Sequence, residues 1–124
     1  MKAMRDVNAD IICLQETTLD WEYYLTAHLP HEYSHCLFRH HTVGLSKLPP
    51  AGGIGLLSKH PFTEIALIES PVGWFPGHLV MLHSPLGDIQ ILNLHLRPPI
   101  TRYYSLTSPF SFYTMVFAFS GLTI

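Results

Sequence analysis

The sequence predicts an α/β sandwich with helices packed outside its sheets, and three observations carry that prediction. Short apolar runs with strand periodicity occupy most of the chain, while helical periodicity is confined to its beginning. Turn chemistry separates the runs, with 8 glycines and 10 prolines among 124 residues. Apolar residues make up 48% and charged residues 13%, which suits a packed core and excludes a disordered acidic or basic segment. Five or six strands with one or two helices make a sheet and a half, so the sandwich is expected to be partial.

The elements follow in order. Residues 1–8 read as the end of a helix, with Met4 and Val7 apolar and Asn8 as its stop. Asp10 to Gln15, DIICLQ, is an apolar run of the kind buried on both faces of a sheet. Thr17 or Thr18 caps a following helix through LDWEYYLTAHL, whose expected inner stripe is Leu19, Tyr23 and Ala27, and Pro30 marks its end. Tyr33 to Arg39 reads as a strand, residues 40–52 as a loop, Ile54 to Lys59 as a strand, and FTEIALIE after Pro61 as another. Ser70 to Gly77 is a loop. His78 to His83 and Ile89 to Leu96 are strands joined by a turn around Pro85 and Gly87.

Composition narrows function. Seven Lys and Arg against nine Asp and Glu give a formal net charge of −2, with no basic cluster to serve as a nucleic-acid footprint. Two cysteines, Cys13 and Cys36, are too few for a disulfide framework; Cys13 reads as a reduced core residue, and a cytosolic or nuclear setting is expected. No secretory signal follows the N-terminal charges. From Tyr103 to Ile124 the chain carries no charge and is rich in aromatics, but Ser and Thr interrupt it, and it falls short of the roughly 20 mostly apolar residues of a spanning helix.

Three groups of residues have chemistry to offer. Glu16 sits where a strand ends and a helix begins, a rigid rim position that suits a hard cation such as Mg2+ and equally suits a carboxylate favoured by the helix dipole. In ILNLHLRPP, period two places Ile89, Ile91, Asn93 and His95 on one face and Leu92, Leu94 and Leu96 on the other. Polar groups ending an apolar face either find partners or line a site, and a histidine there can donate a proton to a phosphoryl or leaving oxygen. HEYSH at 31–35 matches a zinc-hydrolase pattern in which His31 and His35 would bind Zn2+ on one helix face with Glu32 as general base, and His41 falls at the third-ligand position of the longer form. Phe38 replaces the glycine that the longer pattern needs, and Pro30 leaves no helix before the first ligand, so a solvated histidine-rich loop and strand is the better reading.

DIICLQE (10–16), AGGIGLLSKHPF (51–62) and GDIQILNLHLRPP (87–99), in that order and spacing, resemble the endonuclease/exonuclease/phosphatase family, whose members share a DNase-I-like fold. The resemblance implies a four-layer α/β sandwich with two mixed, mainly antiparallel sheets face to face. It implies hydrolysis of a phosphodiester or phosphomonoester by in-line water attack with Mg2+ or Mn2+ bound. Glu16 matches the family's metal-binding carboxylate, His95 the strand-end histidine over the scissile phosphate, and Asn93 its frequent companion. The family's first-strand asparagine, its Gly-Asp-x-Asn segment and its Ser-Asp-His segment have no counterpart here.

The expected organisation is therefore a partial domain over 1–99 and a divergent apolar and aromatic tail over 100–124. The expected function is a Mg2+-dependent phosphoesterase, weakly active or inactive in this chain. A non-catalytic truncated interaction product is the alternative, and the zinc hydrolase on HEYSH stands third. The partner is a phosphoester whose class the sequence leaves open. No strong nucleic-acid footprint and no membrane segment accompany it.

Overall fold

The computed structural model describes residues 2–40, 53–69 and 76–95, and the backbone of 117–119. The chain opens with helix α1 (Lys2–Val7), strand β1 (Ile11–Thr17), helix α2 (Leu19–His28) and strand β2 (His35–Arg39). Strands β3 (Gly53–Ser58), β4 (Phe62–Ile68), β5 (Gly77–Ser84), β6 (Gly87–Leu94) and β7 (Phe117–Phe119) follow. The first sheet has the order β2-β3-β1-β7 and the second β4-β5-β6, and every pairing among these strands is antiparallel.

Alternation in β1 sends its side chains to two different cores. Ile12 and Leu14 join Ala9, Leu25, Leu29, Tyr33, Phe38 and Leu57 beneath the helices. Ile11 and Cys13 join Leu56, Val80, Leu82 and Ile91 between the sheets. Helices, first sheet and second sheet are thus three described layers of the expected sandwich. No described element lies over the outer face of the second sheet, where Ile68, Leu92 and Leu94 are exposed.

Most sequence-level elements fall where expected, within a residue or two. Asn8 ends α1 in a left-handed conformation (φ 48°), which its short amide tolerates, and its N–H donates to Met4 O at 3.2 Å. Thr18 is the cap of α2, its hydroxyl accepting from the Trp21 N–H at 3.3 Å. Cys13 is buried with its thiol reduced, and Cys36 is exposed and reduced. Gly55 is required by packing: a Cβ there would stand 2.7 Å from the ring of Phe38, which covers the strand.

Two expectations are corrected. The stripe of α2 is not Leu19, Tyr23 and Ala27: Leu19 is 64% and Tyr23 78% exposed, Ala27 is exposed, and Leu25 is the residue that α2 buries, with Leu29 just beyond its end. The helix is apolar on both sides, so periodicity could not identify the inner one; packing on β1 did. Val7 is likewise exposed, and Met4 alone packs on the core from α1. The expected loops at 41–52 and 70–75, and the tail apart from 117–119, lie outside the described residues. The backbone of 117–119 pairs with Ile11–Cys13 of β1.

Candidate active site

Glu16, Asn93 and His95 lie at one end of the sandwich, where β1 and β6 finish and β3 begins. The register of β1 against β3 shifts between Gln15 and Thr17, which makes Glu16 an extra residue with φ 58°. Such a bulge re-aims a side chain, and holding a non-glycine residue in the left-handed region costs about 1 kcal/mol or more. Glu16 Oε1 stands 3.2 Å from His95 Nε2, with both side chains largely buried. Burial raises the carboxyl pKa of Glu16 and lowers that of the His95 imidazole, so desolvation keeps the imidazole neutral near pH 7.

Asn93 sits behind this pair. Its Oδ1 accepts from Gln15 Nε2 at 3.0 Å, and its Nδ2 donates to Leu14 O and Gly55 O, each at 3.1 Å. At 3% exposure it ties the second sheet to two strands of the first. Gln15 is equally buried, and its Oε1, like the buried hydroxyl of Thr17, has no hydrogen-bond partner among the described residues. Gly53 fits closely against Thr17: a Cβ there would meet Thr17 O at 2.6 Å.

A second polar group lies on the same inner face of the second sheet. The Arg39 guanidinium grips Glu64 through two hydrogen bonds, and His78 Nε2 lies 3.3 Å from Glu64 Oε1. His78 is fully buried and stands beside Asn93 in the β5–β6 register. Arg39 holds the Glu64 carboxyl below its ordinary range, and burial holds His78 below its own. Sequence reading missed Gln15, Thr17 and this triad. Gln15 has the same strand parity as Cys13, which would have placed it inward. Glu64 and His78 carry no comparable signal, because they meet only when β4 and β5 pair.

The zinc pattern is corrected by local structure. His31 and Glu32 lie in a turn, Ser34 in a bend, and His35 opens β2, so the helix that would set both histidines on one face does not form. Glu32 is engaged by the Arg5 guanidinium at 2.7 Å. His41 lies outside the described residues.

Donor chemistry tests which cation suits the site. Among the described residues no three His, Cys, Asp or Glu side chains gather, and Glu16 supplies the one carboxylate at this end. Zn2+ takes three or four protein nitrogen or sulfur ligands and does not fit. Mg2+ keeps several waters and is held by one or two carboxylates with substrate oxygens, a demand that the single carboxylate of Glu16 can meet.

The chain matches the profile of the Endonuclease/Exonuclease/phosphatase family over residues 1–114. No curated protein and no solved structure matches it.

Proposed function

The chain belongs to the Endonuclease/Exonuclease/phosphatase family, and on that premise we propose that it is a phosphoester hydrolase whose reacting group sits between Glu16 and His95. The observation that carries this reading is the contact of these two side chains at 3.2 Å, one aimed by a strained bulge and the other by the end of β6.

Glu16 is the residue that would anchor Mg2+ or Mn2+. When bound, the cation supplies Lewis-acid polarisation of a phosphoryl oxygen and neutralises developing charge. His95, neutral through burial, donates its ring N–H to a phosphoryl or leaving oxygen. Asn93 contacts the protein alone and fixes the end of β6, so it positions His95 rather than touching substrate. Water attacks phosphorus in line: its oxygen forms the new P–O bond, the bond to the leaving group breaks, and the proton that the water loses reaches the leaving oxygen by way of solvent. With one carboxylate and one imidazole as the assigned groups, slow turnover is expected, because such groups act as a concerted set. The free thiols of Cys13 and Cys36 fit a cytoplasmic or nuclear setting. Among the described residues no helix is long and apolar enough to cross a membrane.

The test is hydrolysis of bis(p-nitrophenyl) phosphate and p-nitrophenyl phosphate with Mg2+ or Mn2+. Turnover should fall about 100-fold or more in Glu16→Ala and in His95→Ala while far-UV circular dichroism is unchanged. Absence of turnover in the unaltered chain, or full activity in Glu16→Ala, sinks the reading.

A further inference from the structure

Beside Glu16, on the helix side of β1, lies a pocket of about 150 Å3 lined chiefly by Met4, Leu14, Trp21 and Leu25, with Gln15, Glu16 and Thr17 also in its wall. Its residues come from α1, β1 and α2, and the phosphoesterase reading leaves it without a role. We propose that this pocket is a substrate subsite that seats a compact aromatic substituent of the phosphoester. The proposal rests on the assignment of Glu16 and His95 as the reacting site.

Four observations fix the occupant. The first is size: an apolar cavity of about 150 Å3 holds a benzene ring. The second is chemistry, since four apolar side chains make up most of the wall and no cationic group is among the lining residues, which suits a neutral ring and not a second phosphate. The third is the orientation of Trp21. Its indole meets the ring of Tyr24 edge-on at 6.3 Å and 89°, and it is half exposed, so a fixed aromatic wall stands beside the opening. The fourth is Thr17. Its register opposite Gly53, three residues after the helix-facing Leu14, turns its side chain toward the helices, and its buried hydroxyl has no partner among the described residues. That hydroxyl is a ready donor or acceptor for the oxygen that joins a ring to phosphorus.

Glu16 belongs both to this wall and to the pair with His95, so one residue adjoins both the ring subsite and the reacting end. The bulge that aims Glu16 also separates the two sides: Gln15 faces the second sheet, and Thr17 faces the helices. A phosphoester with an aromatic substituent can therefore place phosphorus at Glu16 and its ring against Trp21. The sequence pattern held a trace of this arrangement. α2 carries large apolar residues on more of its circumference than the core uses, and Trp21 is one of the surplus.

Two measurements on the full chain test the inference. The first is phenol binding by saturation-transfer NMR, which needs neither cation nor chemistry. Phenol should bind the unaltered chain, fail to bind folded Met4→Trp, and leave room in Met4→Ala for 1-naphthol to bind at least about threefold tighter than in the unaltered chain. The second is kcat/KM for methyl benzyl phosphate against dimethyl phosphate with Mg2+. The benzyl ester should be preferred by about 10- to 100-fold, and Met4→Trp should bring the ratio close to one. Phenol binding that survives in folded Met4→Trp, or no phenol binding beside normal hydrolysis of dimethyl phosphate, overturns the subsite and leaves the phosphoesterase reading standing. Phenol binding with no hydrolysis of either ester overturns that reading, and the subsite assignment falls with it.

Discussion

The two sheets are made of similar strands in unlike surroundings. Every residue of β3 and Ile11 to Gln15 of β1 are buried, because helices lie on one side of the first sheet and the second sheet on the other. Among the described residues only the inner face of the second sheet is covered, and Ile68, Leu92 and Leu94 are between 40% and 48% exposed on the outer one. The strands do not announce this difference. β6 carries leucines on its outer face just as a doubly covered strand would, so apolar character on both faces states a demand for cover and does not supply it. The first sheet should therefore dominate stability, while the second contributes through its inner face and its polar ties.

The largest test of that contrast is Leu57→Ala. It empties a fully packed position under the helices and should cost about 2–5 kcal/mol in urea unfolding, whereas Leu92→Ser on the bare face should change stability by less than about 0.5 kcal/mol. Equal costs would show that the two sheets are equally enclosed in solution.

Asn93→Leu probes the ties between the sheets. It leaves the buried Gln15 amide without its acceptor and should cost about 2–3 kcal/mol. A neutral result would mean that apolar packing alone holds the two layers together.

Acidification reads the second sheet's buried charges. The folded pKa of His78 lies below its ordinary 6.5 through burial, and that of Glu64 below its ordinary 4.5 through the Arg39 hydrogen bonds. Both groups bind fewer protons in the folded chain, so their contribution is present at neutral pH and lost as pH falls, below about 6.5 for His78 and below about 4.5 for Glu64. The urea midpoint should fall in those two stages, and His78→Leu should flatten the first. An unchanged first stage in that variant would place the loss elsewhere.

The smallest effect concerns the bulge. Glu16→Gly removes a side chain held at φ 58° and should raise stability by about 0.5–1 kcal/mol while hydrolysis is lost. A fall in stability would show that the contact with His95 outweighs the backbone strain.

Much of this was legible in the sequence. Strand positions, the turn at Pro85, the stop at Asn8 and the cap before α2 follow from short-range chemistry, and period two put Ile91, Asn93 and His95 on one face, which for Ile91 and Asn93 of β6 is the inner one. Glu16 and His95 were legible as candidates because a motif marks each, although they are far apart in the chain. The inner side of α2 was not legible, since Leu19, Tyr23 and Leu25 are equally apolar and only contact with β1 chooses among them. The zinc pattern failed for a related reason: spacing defines a ligand pair only on a helix, and HEYSH is turn and strand.

The sequence by itself determined the local elements, the pairing of apolar faces and the choice of Glu16 and His95 as candidates, because those depend on periodicity, capping and residue type within a few positions. Tertiary structure decided that the first sheet is covered on both sides, that Asn93 ties the two sheets behind Glu16 and His95, and that a pocket opens beside Glu16. Those outcomes depend on the register of β1 against β3, where one extra residue turns Glu16 out of the alternation and sets Gln15 and Thr17 facing opposite layers.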